Sequence, residues 1–338
     1  MSVRQYGRKV SIIIGGGSQT VVTDQPEGTT TTFDEPSRAI DFSELRATFT
    51  IKRGDVQTPN TADVRLWNVR RDTAALVTKE FTRIVIQAGY EGNFGLIFDG
   101  TIKQARLGRA DAKNSYIDIT AADGDGAYNF STMAVSLAGG ATPDDAVQAF
   151  VQAMAQHGVE AGYAPQLSRN GSPRGRVYYG LTRDELRDFA EAQDVLWSIQ
   201  DGRLVLIPKT SYMPGDVPLI SAATGLIGVP EQTQNGIQMR VLINPAIKIG
   251  QLVRHQGNVN PFRFSLDNRS QASNGLLASS IKTNADGLYY VMKAEYTGDT
   301  RGEAWYADLT CLAVDATVPP NLAPQAAIAP EAASIRRY

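Results

Sequence analysis

The sequence is poor in the residues that build covalent and metal chemistry. One cysteine, Cys311, stands in 338 residues, so no internal disulfide can form and a thiolate metal site is not expected. Two histidines, His157 and His255, exclude any site built on three. Charged residues make up only 20%, below the roughly 25% of ordinary globular chains. Thirty-three basic side chains against 35 acidic leave a net charge of −2, too little for a strong field toward nucleic acid or anionic lipid. So few charges fit a chain that hides much of its surface against partners. Long apolar runs are missing too. Behind Arg4, Arg8 and Lys9 the run at 10–14 stops at Gly15-Gly16-Gly17. A secretory core takes about 7 to 15 apolar residues and a membrane helix about 20. A soluble protein folded in a reducing cytosol is expected.

What is present is strand texture. The length corresponds to two to three domains at roughly 150 residues each. Apolar and polar residues alternate through Phe49 and Ile51, through Val64, Leu66 and Trp67, and over 82–88, 96–102 and 116–120. Breaks fall at Gly54-Asp55, Pro59-Asn60, 89–95 and 108–113. Short strands parted by turn residues predict a closed or sandwiched antiparallel sheet, and 70–79 predicts one or two helical turns plugging it. After Gly126 the pattern changes. Thr142-Pro143-Asp144-Asp145 opens a helix, with Thr as N-cap, Pro at the first position and acids over the positive end. Val147, Phe150, Val151 and Met154 continue it at helical spacing, and Gly158 closes it. Thr182-Arg183-Asp184-Glu185 reads as a capping box for a second helix. That helix runs into 195–200, then Asp201-Gly202, then 203–207, a two-residue hairpin signal. Strands return at 237–242, 251–255, 287–296 and 304–314, and Pro319, Pro320, Pro324 and Pro330 mark a tail that cannot order itself.

No motif completes a chemistry. The glycines at 15–17 have Thr20 where a dinucleotide loop needs its third glycine, so a hairpin turn is expected there. Asp123-Gly124-Asp125-Gly126 resembles the start of a calcium loop, but Tyr128 stands at the sixth place and Ala134 at the twelfth; a strand-ending turn is expected. His157 suits a helix C-terminus, His255 lies beside Arg254 in a predicted strand, and Cys311 reads as a small core residue. The acidic pairs Asp144-Asp145 and Asp184-Glu185 read as caps. Catalytic, cofactor-binding and metal-binding residues are all expected to be absent. Trp67, Trp197 and Trp305 fall in predicted strands, where core packing explains them better than carbohydrate binding does.

Several stretches together resemble the baseplate hub (tail hub) family of tailed bacteriophages, related to the central hub of contractile tails. They are 59–69 (PNTADVRLWNV), Ile86-Gln87-Ala88-Gly89-Tyr90, 97–102 (IFDGTI) and 118–124 (DITAADG). In the second half they are 197–204 (WSIQDGRL), 287–291 (GLYYV) and Gly298-Asp299-Thr300-Arg301-Gly302 with Trp305-Tyr306. The resemblance spans roughly 45–315. It implies a mainly β chain in which two tail-tube-like antiparallel β-barrels flank a small α+β domain. The corresponding boundaries are 1–128, 129–212, 213–318 and a Pro/Ala tail at 319–338. It further implies a homotrimer whose six barrels form a pseudo-sixfold ring between hexameric tail tube protein and a trimeric spike or tail-tip protein. Other baseplate proteins join it, and DNA passes through the channel without specific binding. Such a protein belongs to the virion, assembles in the host cytoplasm, and needs no enzyme activity or cofactor. Its channel wall is expected to carry mixed or net negative charge. A tail-associated cell-wall hydrolase or a host-carbohydrate-binding protein is the alternative.

Overall fold

In the computed structural model the described residues are 7–16, 20–23, 30–33, 39–167, 170–233, 236–255, 257–260 and 287–314. The first region contains β1 (Arg8–Gly15), β2 (Thr20–Thr23), β3 (Thr30–Phe33), β4 (Ala39–Asp41), β5 (Ala47–Gly54) and β6 (Thr61–Trp67). It continues with α1 (Arg71–Lys79), β7 (Arg83–Tyr90), β8 (Asn93–Arg109) and β9 (Ser115–Ala122). The middle holds α2 (Asp125–Phe130), β10 (Thr132–Leu137), α3 (Pro143–Ala155), β11 (Glu160–Ala161), β12 (Arg176–Leu181), α4 (Thr182–Gln193), β13 (Val195–Gln200) and β14 (Arg203–Pro208). Then come β15 (Leu226–Thr233), β16 (Gly236–Leu242), β17 (Leu252–Arg254), β18 (Leu288–Asp299) and β19 (Trp305–Ala313).

The two outer regions share one antiparallel sheet. Its order is β15-β16-β19-β18-β5-β6-β9-β8-β7-β1-β4, with β17 added on β18. The halves meet where β18 pairs with β5, Tyr296 opposite Ile51. The expected mainly β architecture is therefore present, but the ladder stays open among the described residues and no closed barrel forms. Alternation explains the packing: Phe49 and Ile51, Val64 and Leu66, Ile117 and Ile119, Met239 and Val241, and Ala307 and Leu309 all turn to one face. They join a single core that reaches from Ile12 to Cys311. The segment at 70–79 is a helix, and α1 buries Ala74 and Val77 in that core.

The middle region has its own core, with Phe150, Tyr178, Phe189 and Trp197 fully buried in it. Thr142 caps α3 as expected: its hydroxyl accepts from the Asp145 N–H, and the Asp145 carboxylate accepts from the Thr142 N–H at 2.7 Å. The second capping box does not form. Chain runs from β12 into α4 with no intervening turn, so Leu181 takes the cap position and Thr182 lies inside the helix, buried. The Thr182 hydroxyl meets that of Ser131 at 2.8 Å instead. Two further expectations shift. The strand expected at 96–102 runs on to Arg109, because beyond Thr101 β8 keeps β9 on one side but leaves β7 on the other, and polar residues are tolerated there. Trp67 shares the alternate face with Asp63 and Arg65 and stays out of the core. The turn expected after Gly15 and the Pro/Ala tail lie outside the described residues.

Candidate functional site

Two features stand out: a charged sheet face and a buried junction. The face opposite the main core is polar across seven strands, from β16 to β8. Adjacent residues in one row are Arg240, Asp308, Glu295 and Lys52; in another, Asp299, Thr48, Arg65, Asp118 and Arg106. A hollow of about 640 Å³ opens on its β18, β5, β6, β9 and β8 part, beside Thr50, Asp63, Arg65, Arg106 and Asp118.

The strands beneath that face are duplicated. Tyr116-Ile117-Asp118-Ile119-Thr120 in β9 corresponds to Tyr306-Ala307-Asp308-Leu309-Thr310 in β19. Arg65 of β6 stands opposite Asp118, and Arg240 of β16 stands opposite Asp308. Each arginine donates two parallel hydrogen bonds to its aspartate, at 2.6 and 2.8 Å in the first pair and 2.7 and 3.0 Å in the second. Each guanidinium also lies over the tyrosine two residues before that aspartate, Arg65 4.0 Å from the Tyr116 ring centre and Arg240 4.3 Å from that of Tyr306. The third strands match too. The register slips by one residue between Ile102 and Gln104 in β8 and between Val291 and Lys293 in β18, one pair past the equivalent threonines. The sequence reading anticipated two similar β modules but found no motif for them; Tyr-x-Asp-(Ile/Leu)-Thr was the available signal.

The junction lies where the middle region meets the sheet. Asp123, just past β9, aims its carboxylate at the β13–β14 hairpin and accepts the Asp201 N–H at 2.6 Å and the Gly202 N–H at 2.8 Å. Asp201 and Gly202 have φ of +53° and +72°, the pair of left-handed residues that a two-residue hairpin of this type requires. Asn60 ties into the same knot, donating to Ile199 O and to Gln200 Oε1, both at 3.0 Å. Arg53 reaches it from β5, donating to Asp201 Oδ2 at 2.8 Å and to Ile97 O at 2.9 Å. Gly124 allows the close fit: a Cβ there would stand 2.7 Å from Ile199, at φ +66°. Burial, with Asp201 close by, pushes the Asp123 carboxyl up to about 8. Burial also works against ionisation of Asp201, but Arg53 and Lys248 outweigh it and hold that carboxyl below its ordinary value.

The residues weighed for chemistry do not converge. His157 is exposed just beyond α3. His255 is buried just past β17, with Nδ1 2.8 Å from Ile220 O. Cys311 is buried in β19, and burial pushes its thiol up. Among the described residues no hydrogen bond links any two of these three, and no group of three or more His, Cys, Asp or Glu could hold a metal ion. The Asp123 turn that resembled a calcium loop spends its carboxylate on two backbone N–H groups. Trp197 and Trp305 are core residues, whereas Trp67 lies on the polar face under Arg46 and Arg65, 5.2 and 5.7 Å from its ring centre. Among the described residues no helix is long and apolar enough to cross a membrane.

Residues 62–263, about three-fifths of the chain, match the family described as baseplate hub gp41. The chain belongs to that family. It is accordingly a structural protein of the phage tail baseplate. None of the curated proteins matches the sequence. The fold is similar to that of the 43 kDa tail protein of prophage MuSo2 from Shewanella oneidensis, at TM-score 0.52 and 8% identity over 91% of this chain and 97% of that one. A tail protein from Neisseria meningitidis MC58 is similar at TM-score 0.53 and 12% identity, over 94% and 100%. The E. coli c3393 protein, a type VI secretion component described as similar to the T4 tail proteins gp27 and gp5, matches at TM-score 0.51 and 7% identity, over 81% and 74%. At these identities the likeness is one of fold.

Proposed function

We propose that this baseplate hub protein works as a homotrimer whose six β modules form a pseudo-sixfold ring. Hexameric tail tube stacks on one side of it, and a trimeric spike or tip protein attaches on the other. The observation that carries this is the duplicated strand triplet. One chain presents β6-β9-β8 and β16-β19-β18 in matching register, joined edge to edge through β5, so three chains offer six equivalent units to a sixfold tube. A ring of this kind closes when each copy presents complementary faces to the next. The division at 1–128, 129–212, 213–318 and 319–338 then separates the first module, the inserted α+β unit, the second module and the tail. Joining symmetries and guiding DNA require shape and stable interfaces alone, so no catalytic step is assigned to the chain. It acts in the virion after assembly in the host cytoplasm.

Light scattering of the purified chain mixed with tail tube protein tests the assembly. Three copies of the 36.5 kDa chain are expected in the complex, with sixfold features in averaged electron micrographs of the ring. A chain that stays monomeric at micromolar concentration beside its tube protein overturns the reading.

A further inference from the structure

We propose that the polar face from β16 to β8 is the wall past which double-stranded DNA travels, and that Arg65 and Arg240 on it are kept off the phosphates by partners within the wall itself. This rests on the hub reading above. A hollow opens on its β18-to-β8 part, and the register places ten exposed or half-exposed charged side chains on its seven strands. Five are basic (Lys52, Arg65, Arg106, Arg240, Lys293) and five are acidic (Asp63, Asp118, Glu295, Asp299, Asp308). A wall of unopposed arginines would neutralise phosphates, release their counterions and hold the duplex in place. At Arg65 and Arg240 the balance is struck residue by residue. Arg65 and Arg240 each give two N–H donors to one carboxylate and lay the guanidinium plane on a tyrosine, which fixes the plane as well as the charge. Lys293 meets Glu295 at 3.3 Å on the same face, and Arg46 reaches Asp299 at 2.9 Å. Because the restraint is duplicated, a three-copy ring carries it six times, once per module.

The double variant Asp118→Asn/Asp308→Asn, made in the full chain, releases both arginines. After assembly with tube protein has been checked by light scattering, fluorescence anisotropy with a short linear duplex reads binding as a function of salt. We expect the unaltered ring to leave the duplex free at low micromolar protein. The variant ring should bind at least tenfold tighter, with affinity falling as salt rises by a log–log slope of about −0.9 for each phosphate engaged. Adding Arg65→Gln and Arg240→Gln should abolish the gain. Asp63→Asn changes the net charge without releasing an arginine, since Asp63 accepts from the Thr120 hydroxyl, and should do less. Asp144→Asn/Asp184→Asn makes the same change of charge on α3 and α4 and should do nothing. An assembled variant ring that binds no better than the unaltered one, or no better than the α3/α4 control, overturns the wall assignment and leaves the hub reading intact. A chain that never assembles overturns both.

Discussion

Arg53 and Arg65 stand on neighbouring strands and opposite faces of one sheet, and each meets an aspartate, Arg53–Asp201 at 2.8 Å and Arg65–Asp118 at 2.6 Å. Their surroundings differ. The side chains of the first pair are 4% and 19% exposed, those of the second 39% each. Geometry alone would rank the two together, but burial separates them. Half in water, the Arg65 pair trades ion–water contacts for ion–ion contacts of similar worth, about 0–1 kcal/mol for exposed pairs. The Arg53 pair has given up its water, and each member is tolerable only because the other is there. One pair thus contributes little to the fold, while the other ties the α+β unit to the sheet.

The buried pair should break hardest. Asp201→Ala leaves the Arg53 guanidinium with Ile97 O and Gln200 Oε1 for hydrogen-bond partners and no carboxylate in contact with it. Removing one member of a buried pair typically costs about 3–5 kcal/mol. We expect a loss of that size in urea unfolding. The fluorescence of Trp197, in the core of the α+β unit, should report it at least as early as far-UV circular dichroism reports loss of the sheet. A loss below about 1 kcal/mol would place the Arg53 pair with the surface pairs and dissolve the comparison.

Asp123 gives the junction a pH dependence. Folding raises its carboxyl from 3.8 to about 8, chiefly by burial. The folded state therefore binds this proton more tightly than the unfolded chain does. The sign follows from linkage: stability from this group is complete below pH about 4, declines as pH rises toward 8, and levels off above that. Urea midpoints measured between pH 5 and 8.5 should fall with rising pH. In Asp123→Asn, which cannot ionise, that slope should flatten while some stability is lost at every pH, because the amide keeps only one acceptor for the two hairpin N–H groups. An unchanged slope in the variant would move the titration to another group.

How much of this was legible beforehand follows from what each feature depends on. The β, α+β, β order was readable because alternation and helical spacing are local, and Thr142-Pro143-Asp144-Asp145 carries a whole cap within four residues. Asp201-Gly202 was readable as a hairpin for the same reason, and so was Asp123 as the end of a strand. That these two turns grip each other was not, because the bonds run from a side chain to backbone N–H groups 78 and 79 residues away. Thr182 misled because a capping box presumes a chain entering from a loop, and here a strand enters directly. Trp67 misled because an aromatic in a strand reads as core until the face it shares is known; Arg65 two residues earlier was the clue. The duplication stayed hidden because it is held by register and by one short motif, with little identity between.

The smallest expected effect sharpens the comparison from the other side. Asp118→Asn and Asp308→Asn, made singly, each remove the charge from a pair whose side chains are between 39% and 50% exposed. The released arginines regain water, and the asparagine retains one acceptor, so each change should cost less than about 1 kcal/mol and less still at high salt, where the exposed attraction is screened. If the modules are equivalent, the two losses should agree within about 0.5 kcal/mol, and the double variant should show their sum, since the pairs share no partner. The same urea titrations, at low and at high salt, measure all three. A loss at either position approaching that of Asp201→Ala would mean that the wall carries the fold as well as the charge. Releasing its arginines would then no longer separate an effect on DNA from an effect on structure.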